Sequence, residues 1–411
     1  MRILYLSQVL PFPLDAGPKV RAYHVLRYLA GRHEVTLAAF SRSGDRPASV
    51  AHLREFCQEV HTVPMLRSAA RNGWHLARAL VLGQPFLIAR DHVPAMRQLL
   101  RHLVQEATAA GHPFDAVHAD QLWMAPYALA AAAAAPTHRP RLVLDQHNAV
   151  FLIPRRLAQH ERNPLKRLLL LREERCMRAF EVATCRQFDH LVWVTTEDRA
   201  AVEQAARPDA LPPSTVIPIC VDVQAKPFLR RRPDACRVTF LGGLHWPPNA
   251  AGLLWFFQEC WPRVRQMAPQ AVLTVIGRDP PPEVATALHD HLDVTGYVDD
   301  PVPYLRETAA LIVPLHAGGG MRVKIVDAWA WGLPVVSTTI GAEGLRYTAR
   351  ENVLIADTAQ DFAQAVVRLL EDRELGERLA AAGRRTAEQH YDWRAIYRTW
   401  DDIYAADWGN R

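Results

Sequence analysis

Short apolar runs alternate with longer stretches of helical periodicity along most of this 411-residue chain. The runs fall into two series, at 2–9, 34–40, 60–65, 114–119, 141–145 and 190–195, and at 237–242, 271–276, 292–295, 310–315, 334–338 and 352–356. Strands that alternate with helices form βαβ units, whose parallel strands are covered by helices on both faces. The pattern therefore predicts an α/β protein with two parallel sheets.

A proline-rich segment, 207–232, separates the two series of strands and indicates a domain boundary. Each series has the size of one Rossmann-like domain. We therefore expect an N-terminal Rossmann-like domain at 1–214 and a C-terminal one at 215–392. The last segment, 393–411, has a helical pattern and is expected to cross back to the first domain.

The composition is that of an ordinary globular protein with a mild excess of positive charge. The net charge of +5 and the pI near 9.0 suit anionic ligands or a membrane surface, although a solvated basic face is the commoner cause. The charge is dispersed, which argues against a nucleic-acid partner. For the basic helical segment 155–178, a solvated helix is the default interpretation, and peripheral contact with an anionic membrane is the alternative.

The six cysteines are scattered without a C-x-x-C pair, so we expect reduced thiols and a cytoplasmic protein. The same scatter disfavours a metal or redox site. No stretch reaches the ~20 apolar residues that a membrane-spanning helix needs. The opening residues predict a strand and not a signal peptide.

A cluster of glycines late in the chain is a candidate phosphate-binding loop. The apolar run Leu311–Leu315 leads to Gly318, Gly319 and Gly320, and the helical stretch Met321–Trp331 follows. Such a loop lies at the carboxyl edge of a parallel sheet, where free N–H groups and the helix dipole attract phosphate. Glycines let a diphosphate or a sugar approach the backbone closely. An ordinary tight turn is the alternative.

Several motifs together resemble those of a known family, through their order and spacing more than through any one of them. They are PFPLDAG at 11–17, DQHN at 145–148, VTTEDRAAV at 194–202, FLGGLHWPPNAAG at 240–252, VIGRDPP at 275–281, VTGYVDD at 294–300 and AGGGMRVKIVDAWAWGLPVVST at 317–338. With these motifs the chain resembles a GT-B-fold glycosyltransferase of the family 4 type over nearly its whole length.

The resemblance implies two facing Rossmann-like domains with parallel sheets and a donor cleft between them. It also implies transfer of a sugar from a nucleotide-diphosphate-sugar to a hydroxyl acceptor, with retention at the anomeric carbon. The acceptor would be a glycan, a glycolipid or a polysaccharide precursor. Neither a cofactor nor a metal is expected, and no D-x-D motif stands in a position that invites a metal.

The donor is expected mainly against the C-terminal domain. By the resemblance, base and ribose would lie between Gly277, Gly296–Val298 and Asp327, and the diphosphate would lie at the glycine loop. The complete expected donor set is Gly17, Gly243, Gly277, Gly296, Tyr297, Val298, Gly318, Gly319, Gly320, Met321 and Asp327.

Two departures from the family pattern affect these assignments. Family members commonly carry two glutamates around the glycine loop; here Asp327 stands at the second position and Gly319 near the first. Backbone N–H groups would then replace the missing carboxylate. Cations that often follow the domain's first strand are also absent, so Arg322 and Lys324 are expected to neutralise the diphosphate. With His147 they form the expected catalytic set.

Helix geometry leaves alternatives open for three of these residues. At ~100° per residue, Lys324 and Asp327 share one helix face, so an ion pair between them competes with a ribose role for Asp327. Arg322 would lie nearly opposite Lys324. For Arg322, exposure to solvent and phosphate binding are therefore equally good expectations.

In the N-terminal domain, polar residues at the ends of apolar runs are candidates for an acceptor cleft. His147 and Asn148 follow one run, and Asp120 and Gln121 end another, with His118 just before them. Ligands of open α/β sheets bind at the carboxyl ends of the strands. A histidine bonded to a backbone carbonyl is the alternative for both histidines.

The loop after the first strand would face the donor phosphates. Gly17 opens the helix that follows and suits close approach of a donor or an acceptor. Lys19 and Arg21 are expected to add positive charge there, with simple surface exposure as the alternative.

Proteins of three other kinds are alternatives to a retaining glycosyltransferase. A nicotinamide-dependent oxidoreductase is disfavoured, because no G-x-G-x-x-G motif opens the first strand–helix unit. A catalytically inactive nucleotide-sugar-binding protein stays open, because the usual first glutamate is missing. An inverting or epimerising GT-B enzyme is the nearest enzymatic alternative.

Overall fold

A computed structural model describes residues 1–14, 17–66, 69–135, 138–287, 291–318 and 320–405, apart from the side chains of 69–71 and 160. The chain forms two compact units, Met1–Pro218 with Tyr397–Arg411, and Ile219–Ile396. The first unit extends to Pro218 and not to 214, because a short strand from the expected linker joins its sheet.

The first unit is built on the strands β1 (Arg2–Ser7), β2 (Glu34–Ser41), β3 (Glu59–Pro64), β4 (Ala116–Asp120), β5 (Arg141–Gln146), β6 (His190–Trp193) and β7 (Ser214–Val216). They pair in parallel in the order β3-β2-β1-β4-β5-β6-β7. This is a Rossmann-type order, which reverses direction between β1 and β4. The predicted strands are confirmed, and β7 was not predicted.

Helices cover both faces of this sheet. They are α1 (Gly17–Ala30), α2 (Pro47–Arg54), α3 (Ala69–Leu82), α4 (Phe86–Arg90), α5 (Pro94–Ala109), α6 (Ala125–Ala133), α7 (Leu152–His160), α8 (Pro164–Cys185) and α9 (Thr196–Ala206). The start of α8 is fixed by Asn163, whose side chain accepts from the N–H groups of Leu165 and Lys166 at 3.0 and 3.2 Å. Apolar side chains such as Leu4, Leu6 and Leu144 fill the core.

The second unit repeats the design with β8 (Arg237–Leu241), β9 (Val272–Ile276), β10 (Leu292–Gly296), β11 (Thr308–Val313), β12 (Val335–Ser337) and β13 (Leu354–Ile355). These strands are parallel and ordered β10-β9-β8-β11-β12-β13. Its helices are α10 (Pro247–Trp255), α11 (Trp261–Met267), α12 (Pro282–Ala285), α13 (Val302–Leu305), α14 (Val323–Trp331), α15 (Ala359–Glu371), α16 (Arg373–His390) and α17 (Trp393–Ile396).

Helix α14 begins at Val323, two residues after the predicted start at Met321. The delay has a backbone cause: Gly318 and Gly320 have φ angles of 132° and 70°, which a helix cannot contain. Arg322, at φ −89° and ψ 86°, is still outside the helix. The predicted end is confirmed, because Gly332 caps the helix in the left-handed conformation.

The last predicted helix is broken into α17 and α18 (Thr399–Ala405), and residues 406–411 lie outside the described part of the chain. Helix α17 stays with the second unit, where Arg394 forms an ion pair with Asp222 at 2.6 Å. Helix α18 belongs to the first unit, where the Tyr28 hydroxyl donates to Asp401 at 2.8 Å. No helix of the described residues has the length and apolar character needed to cross a membrane.

Candidate active site

In the second unit, three loops at the carboxyl ends of neighbouring strands are bonded to one another. The N–H of Gly242, after β8, donates to Ile276 O at 2.9 Å, and the N–H of Gly277, after β9, donates to Gly296 O at 2.8 Å. A Cβ atom at Gly277 would lie 2.0 Å from the Gly242 carbonyl oxygen. Only glycine permits this approach. The strand order reverses next to these loops, between β8 and β11, where open sheets bind ligands.

Lys324, in the first turn of α14, points at the loop after β8. Its Nζ donates to Asn249 Oδ1 at 2.9 Å and lies 4.6 Å from the centre of the Phe240 ring. A Cβ atom at Gly242 would lie 2.6 Å from the same Nζ. Burial of the ammonium, followed by the positive charge of Arg322, lowers the pKa of Lys324 to about 7. Because this ammonium bonds to Asn249, and Asp327 pairs with Lys226, the predicted alternative of a Lys324–Asp327 ion pair is wrong.

Asn249 connects this lysine to the loop after β8. Its amide Nδ2 donates to Gly243 O at 2.8 Å, and its side chain is buried. Gly243 also lies beside the exposed ring of His245, since a Cβ atom there would be 2.6 Å from a ring carbon of that histidine. The sequence prediction included Gly243 and missed Asn249, whose role depends on a contact 75 residues away along the chain.

Arg322 lies beside the glycine loop and is buried, not exposed to solvent. Its Nη1 donates to Gly320 O at 2.9 Å, and its guanidinium carbon lies 5.8 Å from the centre of the Trp246 ring. A Cβ atom at Gly318 would lie 2.6 Å from Nη2 of Arg322. Met321 is buried next to it. Gly319, a predicted donor residue, is outside the described residues.

The start of α14 has no side-chain cap. The first N–H groups of a helix have no partner within the helix and form the positive end of its dipole. Here they lie next to Arg322 and Lys324, so two cations and a helix N-terminus stand together. This arrangement favours a group with several negative oxygens, such as a diphosphate.

Asp327, one turn further along α14, forms an ion pair with Lys226. Lys226 Nζ also lies 4.5 Å from the centre of the Trp331 ring. The sequence prediction missed Lys226, because it comes from the expected linker, 101 residues before Asp327. Both side chains of this ion pair are partly exposed to solvent, each to 22%. Asp327 therefore remains accessible to a hydroxyl group.

Replacing Asp327 with alanine tests its predicted ribose contact. If Asp327 binds ribose, the Kd of the donor rises at least tenfold, or about 1.4 kcal/mol. Lys226→Ala is the matched control, because it breaks the same ion pair and keeps the carboxylate. Thermal shift and nucleotide titration on both variants separate the two roles. Equal losses of melting temperature with unchanged donor affinity would leave only the ion pair.

An exposed aromatic ring lies at the far end of the same sheet edge. Tyr297 is 47% exposed, and the Arg278 guanidinium carbon lies 4.1 Å from the centre of its ring. Gly296, just before it, has a φ of 68°, which turns the chain after β10. Val298 is half-buried. A flat ring with one open face suits stacking of a nucleotide base.

In the first unit, a polar group stands at the ends of β1, β4 and β5. Asp120 accepts from the Ser7 hydroxyl at 2.9 Å and from His147 Nε2 at 2.8 Å. Because an ionised carboxylate only accepts, Nε2 of His147 carries a proton, and Nδ1 of the neutral ring holds a lone pair. Nδ1 is buried and has no hydrogen-bond partner in the described part of the chain. It can accept a proton from a hydroxyl group.

Other predicted residues of this unit have different surroundings. Gln121 is buried with a φ of 73°, and its amide Nε2 has no partner among the described residues. Asn148 is half-buried, next to His147. Gly17 is the first residue of α1. Gln121 and Asn148 are thus at the same sheet edge as Asp120.

His118 and Arg21 lie in the core and do not line this edge. His118 is completely buried, stacks on Tyr5 with ring centres 4.4 Å apart, and bonds through Nδ1 to the Tyr404 hydroxyl at 2.7 Å. Arg21 donates to Asp145 through Nη2 at 2.6 Å and through Nε. Burial alone would raise the pKa of Asp145, but Arg21 holds it well below its ordinary value.

Asp120, Asp145 and His147 also have the composition of a metal site, with ligand atoms within 4.8 Å of one another. Their oxygens already have protein donors. Arg21 bonds both oxygens of Asp145, and Ser7 and His147 bond Asp120. A cation would have to displace a buried guanidinium, which disfavours metal binding here.

Two buried carboxylates, which the sequence prediction missed, hold the chain after His147. Asp198 accepts from the N–H of Ala149 at 2.8 Å. Glu181 accepts from the N–H groups of Val150 and Phe151, both at 3.1 Å. Burial raises the pKa of Glu181 to about 8. These contacts fix the backbone that positions the imidazole.

Comparison with known proteins supplies the family context for both groups of residues. Residues 16–225 match the family described as Glycosyltransferase Family 4, and residues 235–372 match the one described as Glycosyl transferases group 1. A curated relative is an uncharacterized 44.6 kDa protein in the cps region of Klebsiella pneumoniae, 25% identical over 171 residues. The match covers 39% of this chain and 44% of that protein, less than half of either.

Solved structures with the same fold cover nearly the whole chain. HepE from Anabaena, in complex with UDP and glucose, has 14% identity and a TM-score of 0.67, covering 98% of this chain and 99% of HepE. Sucrose-phosphate synthase from Thermosynechococcus elongatus has 14% identity and a TM-score of 0.68, covering 98% of each chain. At such identities the likeness concerns the fold, and it confirms the GT-B class.

Proposed function

Because the chain belongs to glycosyltransferase family 4, we propose that it transfers a sugar from a nucleotide-diphosphate-sugar to a hydroxyl acceptor, with retention at the anomeric carbon. The observation that supports this most is the start of α14, where Lys324 and Arg322 meet a glycine loop and a helix N-terminus without a side-chain cap. UDP-glucose is the first donor to test, because HepE has the same fold and was solved with it.

In this proposal the acceptor oxygen forms a bond to the anomeric carbon while the bond from that carbon to the diphosphate oxygen breaks. The nucleoside diphosphate leaves with the electron pair and takes up the acceptor proton. Negative charge grows on the leaving oxygen, and Lys324, Arg322 and the N–H groups of α14 stabilise it. Such preorganised stabilisation is commonly the largest contribution to catalysis. No metal ion takes part.

The nucleoside would extend from this point along the sheet edge. Its base would stack on Tyr297 beside Gly277 and Gly296–Val298, and its ribose would contact Asp327. We assign acceptor binding to Asp120, Gln121, His147 and Asn148 of the first unit. A polyhydroxylated acceptor, such as a glycan, a glycolipid or a polysaccharide precursor, suits this polar group.

An inverting reaction is the second candidate, and the His147–Asp120 pair favours it. Its Nδ1 lone pair can accept the acceptor proton directly, as inversion by a single displacement requires. The product distinguishes the two: proton NMR of the transferred sugar gives the same anomeric configuration as the donor for retention and the opposite one for inversion. Absence of any transfer, with retained nucleotide binding, would instead support the inactive sugar-binding alternative.

Metal independence has its own test. We expect turnover to survive EDTA, because cations of the protein stabilise the leaving diphosphate. The assay compares initial rates with EDTA, with Mg²⁺ and with Mn²⁺ after exhaustive dialysis. Activity lost in EDTA and restored by either ion would show that a metal takes part. We also propose a reducing, cytoplasmic location, which the six free cysteines support.

A further inference from the structure

Exposed apolar side chains are concentrated in one part of the first unit. Of seventeen large apolar side chains that are exposed in the described residues, eleven lie between positions 66 and 171. They are Leu66, Trp74, Leu76, Leu80, Val81, Leu82, Leu157, Leu165, Leu168, Leu169 and Leu171. Scattered exposed apolar residues are ordinary, but a concentration of this kind marks an interaction surface.

The first two turns of α8 contribute four of these eleven side chains. Leu165 and Leu168 are 66% and 64% exposed, and Leu169 and Leu171 are more than 40% exposed. Lys166 and Arg167 lie among them and are also exposed. A helix end with leucines and cations together cannot be explained by packing within the unit.

The end of α3 adjoins this helix and extends the apolar area. Arg172 of α8 donates through Nη2 to Ala79 O at 2.6 Å, and Glu173 accepts from the N–H of Phe86 at 3.0 Å. These bonds fix α3 and α4 beside α8. Val81 and Trp74 of α3 are 85% and 59% exposed. The leucines of α8 and the apolar residues of α3 therefore belong to one surface, the α3–α8 surface.

The charge around the α3–α8 surface is positive. Residues 152–178 contain eight lysines and arginines against three glutamates, and the described part of α3, residues 72–82, adds Arg78 and no acidic residue. The guanidinium carbon of Arg78 lies 5.5 Å from the centre of the Trp74 ring. Apolar side chains surrounded by cations are suited to a surface that is both apolar and anionic.

An arginine-lined cavity lies further along α8. Its volume is about 350 Å³, and four exposed arginines line it: Arg175, Arg178, Arg186 and Arg207. Val182 also lines this cavity. At ~100° per residue, one face of α8 holds Leu168, Arg175 and Val182 within about 40° of one another. At ~1.5 Å per residue, Arg175 is about 10 Å from Leu168 along the helix axis. One face of α8 thus presents leucines first and cations next.

We propose that the α3–α8 surface docks on an anionic lipid bilayer, with α8 parallel to the membrane plane. The leucines would enter the apolar boundary of the bilayer, and the arginine cavity would bind lipid phosphates. Neither contact requires a helix that crosses the membrane. The cations distinguish this occupant from a second copy of the chain, since two such surfaces would repel each other.

The test is co-sedimentation of the full chain with vesicles of phosphatidylcholine, with or without about one third phosphatidylglycerol. The chain is expected to bind the anionic vesicles, and binding should weaken as salt increases. Leu168→Glu with Leu171→Glu should lower this binding at least about tenfold. The matched control is Met267→Glu with Leu14→Glu, which adds the same charge at exposed apolar positions elsewhere and should leave binding nearly unchanged.

A separate double variant tests the role of the arginine cavity. Arg175→Ala with Arg207→Ala should lower binding to the anionic vesicles about tenfold and reduce its salt dependence, whereas Arg378→Ala on α16 should change neither. No binding of the parent chain to anionic vesicles would overturn the proposal. So would a dimer, detected by light scattering, that the leucine variant dissociates. The assay contains no donor or acceptor, so its result is independent of the proposed reaction.

Discussion

Replacing Lys324 with methionine is expected to lower turnover of the nucleotide-sugar by about two orders of magnitude or more, without lowering the melting temperature. Methionine keeps the length of the side chain and removes the charge that would face the leaving diphosphate. In the free protein this ammonium is half-buried, bonds to the neutral amide of Asn249 and lies beside the positive charge of Arg322. Removing a cation from such surroundings offsets the loss of its bond to Asn249.

A structural lysine would behave in the opposite way. Loss of the Asn249 bond would then lower the melting temperature, and folded protein would keep its specific activity. Initial rates and melting temperatures measured on one preparation separate the two outcomes. Lys324→Arg, which keeps the charge and changes its shape, should retain part of the turnover. Full turnover in Lys324→Met would contradict the diphosphate assignment.

The lowered pKa of Lys324 also gives the reaction a pH dependence. The free protein loses this proton near pH 7, while a bound diphosphate would raise the pKa. Above pH 7 the complex then holds more protons than the free protein, so donor affinity falls by up to about tenfold per pH unit. Calorimetry at pH 8 in two buffers should detect proton uptake, and Lys324→Met should abolish it.

The lowered pKa of Lys324 also makes the free energy of unfolding depend on pH. Between about pH 7 and 10.5 the unfolded chain holds the Lys324 proton and the folded chain does not. The contribution of this residue to the free energy of unfolding therefore rises with pH across that window. In the absence of donor, Lys324→Met should remove this rise.

Replacing Asp120 with asparagine is expected to lower turnover by about a hundredfold or more, although it changes only one atom of the side chain. An asparagine amide can donate to Nε2 of His147, which would move the imidazole proton to Nδ1. Nδ1 would then no longer accept a hydrogen bond from the acceptor hydroxyl, which orients it in the retaining reaction, and could not take its proton in an inverting one. His147→Ala should have a similar effect, and neither change should weaken nucleotide binding.

Ser7→Ala is the matched control for this prediction. It removes the other hydrogen bond to Asp120 and leaves the bond to His147, so turnover should fall only slightly. The affinity for nucleotide, measured on the same preparations, adds a second readout and should be unchanged in Asp120→Asn. Unchanged turnover in both His147→Ala and Asp120→Asn would remove His147 from the catalytic set.

The sequence predicted those features that depend on local periodicity. Apolar runs bounded by turns placed the strands, and the glycine loop before α14 followed from spacing alone. Lys226 and Asn249 could not be found in this way, because their partners Asp327 and Lys324 are far away along the chain. His118 shows the same limit: its position in β4 was predicted, but its burial depends on Tyr5 and α18.

The path of the chain determines how the two units can be separated for study. The first unit needs α18, which is encoded after the whole second unit. A fragment that stops at Pro218 would lack Tyr404 and Trp400 and so expose His118 to water. It would keep Ile217 and Pro218, whose carbonyls bind Arg21 at 2.7 and 3.0 Å. We therefore expect the first unit to be soluble by itself when a rearranged gene joins α18 to Pro218 through a flexible linker. A simple truncation at Pro218 is not expected to be.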